Sequence, residues 1–176
     1  MAMMKKILLW VIPFLLILTG CSKIIDPIGQ QEYAHDPASL LVDVPGIELL
    51  VQQVLTENNF KDWKDSALVV NQKELLKEVE GYNGVIYQWP EIDFDHYSLV
   101  LGKYHTPHMG NYLIARQYII KGLSKNVLYL AIQTIPDRIY FCTPYNNHFA
   151  ALYPKLPDGG LEVKRISGVG LVPVFE

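Results

Sequence analysis

The sequence predicts an α+β domain, an antiparallel β-sheet of about five to seven strands with two N-terminal helices packed on it. Two observations carry this. Apolar residues recur at helical spacing only between Pro45 and Gly81, and from Ile92 onward the period shortens to two. Turn residues then separate the strand runs, and strands joined by short turns pair antiparallel.

The chain of 176 residues opens on a targeting pattern. Lys5 and Lys6 precede the apolar run Ile7–Ile17, which Pro13 interrupts. A run this short does not cross a hydrocarbon core, which takes about 20 residues in helix, but it suits the apolar region of a signal peptide. Leu18-Thr19-Gly20-Cys21 follows at once and resembles the bacterial lipobox, a branched apolar residue and two small ones before the cysteine. We therefore expect residues 1–20 to be a lipoprotein signal peptide, 21–40 a lipidated tether and 41–176 one α+β domain. Cys21 is the expected lipidation site, anchoring the chain in the bacterial envelope at the outer membrane. With Lys5 and Lys6 removed, the 15 Lys and Arg fall to 13 against 18 Asp and Glu, a net charge of −5. That balance, with no basic run, excludes an electrostatic footprint for nucleic acid and leaves the acyl chains to grip the bilayer. Once Cys21 is acylated, Cys142 has no partner for an intramolecular disulfide, and its apolar run Ile139-Tyr140-Phe141-Cys142 reads as buried strand.

The elements follow in order. Ile47, Leu50, Val51, Val54 and Leu55 form one apolar helical face, with Asp43 as its expected cap and Pro45 in its first turn, ending at Asn58-Asn59. Ser66–Val70 reads as a short strand. Asn71-Gln72-Lys73-Glu74 has the spacing of a capping box, which predicts a second helix carrying Leu75, Leu76 and Val79 and closed by Gly81. Strands are then predicted at Tyr97–Leu101, Tyr112–Ile120, Val127–Ile135, Arg138–Cys142, Phe149–Leu152 and Leu161–Ile166. Thr106-Pro107, Met109-Gly110-Asn111, Ser124-Lys125-Asn126, Pro136-Asp137 and Pro157-Asp158-Gly159-Gly160 supply the turns.

Residues able to carry chemistry are few. His105-Thr106-Pro107-His108 sets two imidazoles three apart, with His96 and His148 as possible additions. A zinc site needs three or four converging ligands, and no Cys, Asp or Glu stands at ligand spacing, so these read as turn histidines. Asp93 and Asp95 flank Phe94 and point to one face of an extended segment, where they shape a turn. Ser98, Ser124 and Ser167 lack the nucleophile-elbow context, and Gly168-Val169-Gly170 is too little for a phosphate cradle. We expect no catalytic residue, no metal and no cofactor. The tyrosines remain, with Tyr112, Tyr118, Tyr129 and Tyr140 spaced to sit on strand faces. Tyrosine serves interfaces and half-buried sheet faces alike.

A set of short motifs adds to this reading. Leu68-Val69-Val70 with Lys73–Glu80, Pro90-Glu91-Ile92-Asp93-Phe94, Leu99-Val100-Leu101-Gly102, Gly110-Asn111-Tyr112-Leu113-Ile114 and Pro144-Tyr145 run in order along the chain. Over Ala67–Leu156 they resemble the C-terminal domain of the PrcB family, accessory lipoproteins of a secreted subtilisin-like protease complex. Asn111 stands where the family pattern has a second glycine, and asparagine tolerates a positive φ there. The resemblance implies a non-catalytic, protein-binding lipoprotein, a protease-associated accessory or inhibitor-like subunit. The apolar Tyr104–Tyr112 connection is the expected contact, with Tyr104, Met109, Asn111 and Tyr112 on it and Tyr145 beyond. Two other functions stay open at this point, a carbohydrate-binding surface lipoprotein using the tyrosines and a histidine-dependent metal hydrolase.

Overall fold

The period of two after Ile92 builds long strands, and they dominate the structure. A computed structural model describes residues 32–34, 37–107, 112–122, 124–134 and 143–166. The main sheet holds β1 (Glu32–Ala34), β2 (Ser39–Leu40), β3 (Ser66–Val70), β6 (Tyr97–Thr106), β7 (Tyr112–Ile120), β8 (Val127–Thr134), β9 (Tyr145–Pro154) and β10 (Gly159–Ile166). A separate hairpin pairs β4 (Val79–Glu80) with β5 (Ile86–Tyr87). The eight strands of the main sheet lie in the order β1-β7-β8-β10-β3-β6-β9-β2. Its outermost strands, β1 and β2, are neighbours in sequence. Ala34 and Ser39 are at most ~18 Å apart along an extended chain, so the sheet curls to bring its two edges together.

The sheet is mixed, not purely antiparallel as expected. Strand β10 runs antiparallel to β3 through Gly159–Leu161, then parallel to β8 through Glu162–Ile166. Pairing with β3 fixes its direction, and β8 already runs that way. The segment is therefore shared between the two halves of the curl.

Both faces of β6 are covered, one by the helix and one by the inside of the curl. The helix, α1 (Ile47–Glu57), buries Ile47, Val51, Val54 and Leu55 against Val70, Leu99, Leu101 and Ala150. On the inner face Val100, Tyr104, Ile119, Leu128, Leu130, Phe149 and Tyr153 form the second core. Alternation along β6 and β9 thus assigns every second residue to the helix side. Gly102 is needed on the inner face because the Phe149 ring lies where a side chain would begin.

Three expectations are corrected. Helix α1 is capped by Gly46 in the left-handed region (φ 72) with no side-chain bond, rather than by Asp43. Any side chain at Gly46 would meet the Tyr87 ring. The second helix shrinks to a single 3₁₀ turn, Lys73–Leu75, followed by β4, so the described residues hold one α-helix rather than two. The capping box fails because the Asn71 side chain reaches elsewhere, donating to the Leu156 carbonyl (2.8 Å) and to Asp158 Oδ1 (2.7 Å). Finally, β1 and β2 form inside the stretch read as tether. The predicted signal peptide, Cys21 and the strand at Arg138–Cys142 lie outside the described residues.

Candidate functional site

Strand parity gathers polar side chains at one end of the sheet. Beyond Leu101 on the helix side of β6 come Lys103 and His105, and beyond Ala150 on β9 come His148 and Asn146. Lys103 faces His148 in register, and His105 faces Asn146. The helix no longer covers this end, so a cleft of about 370 Å³ opens between α1, the residues after it and the strand ends. Lys103 and His148 lie on the sheet side, Leu55, Phe60 and Trp63 supply apolar lining, and Glu48 and Tyr145 stand together with the Tyr145 hydroxyl 3.3 Å from Glu48 Oε2.

Lys103 is only 4% exposed. Its ammonium donates to the carbonyls of Phe60 and Asp62, the latter at 2.5 Å, and so holds the chain that leaves α1. Among the described residues no carboxylate lies within ion-pairing distance of it. Burial accordingly holds the Lys103 pKa below the ordinary ammonium range, although the Asp62 charge pulls the other way. Burial, with the Lys103 charge adding, also pushes His148 down to about 4, so its imidazole is neutral at physiological pH. Two buried atoms nearby, Asn146 Oδ1 and His105 Nδ1, have no hydrogen-bond partner. Trp63, 65% exposed, meets the His105 ring edge to face at 5.2 Å between centroids.

A smaller cleft, about 260 Å³, lies near the same strand end and is lined by Thr106, Pro107, Tyr112, Ile132, Arg165 and Ile166. Arg165 links the two sides. It grips Asp65 with two bonds (2.5 and 2.8 Å) and donates to the His105 carbonyl, while the His105 N–H donates to Asp65 Oδ1 at 2.9 Å. Burial pushes the Asp65 carboxyl up, but the Arg165 fork and the His105 N–H outweigh it and hold it low. The bridge ties β3, β6 and β10 together where β10 has left β3.

The expected contact residues separate. Tyr104 is buried in the inner core, tilted against Phe149, with a hydroxyl pushed up to about 12 by burial. It has no surface to offer a partner, because Gly102 and Phe149 draw it inside. Tyr112 lines the smaller cleft and Tyr145 the larger one. Met109 and Asn111 lie outside the described residues, as do His108 and Cys142. His105 and His148 share one end, whereas His96 immediately precedes β6 at the other, about 30 Å away at 3.3 Å per residue, and bonds Asp93 (2.8 Å). Among the described residues no three His, Cys, Asp or Glu converge as metal ligands would. Tyr118 and Tyr129 stack on each other at 5.2 Å with Arg116 over Tyr118, and Tyr118 is buried, so the pair presents no open platform. A larger cleft, about 480 Å³, lies beside the 3₁₀ turn, but Lys77 there pairs with Glu57 and Glu78 accepts from Gln88.

Sequence reasoning overlooked Lys103. Its signal was a lone charge in the apolar run Leu99–Tyr104, which has to be buried once both faces of the strand are covered.

No family model, curated protein or solved structure matches the chain.

Proposed function

We propose that the protein is a lipid-anchored envelope lipoprotein whose curled-sheet domain binds a protein partner and performs no chemistry of its own. Lys5 and Lys6, the short apolar run and Leu18-Thr19-Gly20-Cys21 support anchoring through acyl chains on Cys21. The binding reading rests on one observation, the two shallow clefts flanking the end of β6, lined by the exposed Trp63 and Leu49 on one side and by Pro107 and the half-buried Tyr112 on the other. Aromatic groups rimmed by polar ones suit a protein interface. The short motifs between Ala67 and Leu156 favour a protease-complex subunit as the partner's class.

The test has two arms. Cys21→Ala should accumulate as uncut, unacylated precursor held only by its signal, since one acyl chain anchors marginally and two anchor stably, at about 0.8 kcal/mol per buried CH₂. Normally processed, detergent-phase protein in that variant contradicts the anchoring. Cross-linking in intact envelopes should join a protein partner to the wild type and lose it in the Trp63→Ala, Tyr112→Ala double variant. Undiminished cross-linking by a folded double variant removes this end from the account.

A further inference from the structure

We propose that the Lys103 cleft is a carboxylate site, taking a single carboxylate attached to an apolar group. The inference rests on the binding reading above and names the chemistry that this cleft recognises. Lys103 is the reason. The residue is 4% exposed, and its ammonium gives two of its three N–H groups to the Phe60 and Asp62 carbonyls. Carbonyl dipoles satisfy hydrogens, and the Asp62 charge acts on the ammonium only from beyond ion-pairing distance, so a buried charge is left without a paired carboxylate, which is costly. A purely structural clamp on two carbonyls needs no such charge.

The rest of the cleft fits a monoanion. Its charged lining is Lys61 and Lys103 against Glu48 alone, a surplus of one positive charge. Glu48 is engaged by the Tyr145 hydroxyl. His148, neutral beside Lys103, offers an N–H without adding repulsion between cations. Asn146 also lines the cleft, and its NH₂ is a second donor for a carboxylate oxygen. Leu55, Phe60 and Trp63 supply a wall for the attached apolar group. The volume, about 370 Å³, suits one residue or a small acid, near the lower end of ligand pockets at roughly 300–1,000 Å³. Two sources share this chemistry, the C-terminus of a partner chain and a free organic acid.

Calorimetry on the full-length lipoprotein in detergent separates them, using Gly-Gly-Phe, its C-terminal amide and phenylacetate as probes. The tripeptide acid should bind at least ten-fold more tightly than the amide. Phenylacetate binding as tightly as the peptide assigns the source to a small acid, and weaker binding assigns it to a chain terminus. Lys103→Met should abolish the preference for acid over amide. If that variant does not melt cooperatively, Asn146→Ala decides, with a three-fold or greater loss of preference expected. Equal binding of acid and amide, no binding of either, or a preference untouched in the folded variants overturns the proposal. Those failures leave the envelope cross-link in place, whereas no cross-link in the wild type, or one undiminished in the folded double variant, with carboxylate binding intact strikes only at the protein-partner reading.

Discussion

The two ends of β6 handle buried polar groups in opposite ways. At the Ser98 end every group closes on another. Ser98, 0% exposed, donates to Asn71 Oδ1 (2.5 Å) and accepts from the Leu156 N–H (2.7 Å), while Asn71 holds the Leu156 carbonyl and Asp158. These bonds stitch the turn between β9 and β10 to the chain that leaves β3. At the Lys103 end Lys103 is as deeply placed, yet its charge has no paired carboxylate, and Ser66 Oγ, His105 Nδ1 and Asn146 Oδ1 are buried without partners. A buried network that satisfies all its members rigidifies a fold, and one left incomplete calls for an explanation, which the proposed carboxylate supplies. The first end is structure. The second is a site.

Substitutions should widen that contrast. Asn71→Ala removes three bonds of the closed network and leaves the Leu156 carbonyl only the long Ser98 contact (3.4 Å), so chemical denaturation should show a loss of about 2 kcal/mol. A loss near zero would mean the network does not bind the two turns together. Asp65→Ala leaves the His105 N–H without its acceptor and the Arg165 guanidinium with the His105 carbonyl in place of a carboxylate. We expect about 1–2 kcal/mol, most of it from the seam between β3 and β10. An unchanged midpoint would show that the curl closes without this bridge.

His148 gives a pH signature. Its folded pKa, about 4, lies below the unfolded value near 6.5, so the unfolded chain binds more protons between those limits. Its contribution to stability is therefore complete above about pH 6.5 and is lost as pH falls toward 4. After allowance for solvent screening the loss is on the order of 1 kcal/mol. His148→Gln should flatten this part of the wild-type profile, and superimposable profiles would place the imidazole in water. Asn146→Ala should cost least, within about 0.5 kcal/mol, because its buried oxygen has no partner to lose. A cost like that of Asn71→Ala would erase the difference between the ends.

Much of this architecture was legible in the sequence because it is periodic. The apolar stripe of α1, the strand at Ser66–Val70 and the alternation from Tyr97 onward each depend on neighbours within a few residues. What escaped depends on distant ones. Asn71 abandons the helix cap for partners 85 and 87 residues away, and no local window contains them. The parallel pairing of β10 with β8 is set by how the sheet curls, not by the turn before it. Tyr104 read as an exposed loop residue because its run ends at Pro107, yet Gly102 and the Phe149 ring draw it into the core. The site was hardest to see. Lys103 and His148 are paired only across strands, and their importance appears when burial is known.

Hydrogen exchange on the full-length protein, with and without saturating Gly-Gly-Phe, tests the contrast most directly. The account predicts slower exchange in the segments around Phe60–Asp65, Lys103–Thr106 and Tyr145–His148, and none of this change around Asn71, Ser98 and Leu156. Protection at the Ser98 end instead, or an unaltered Lys103 end at saturation, would contradict it.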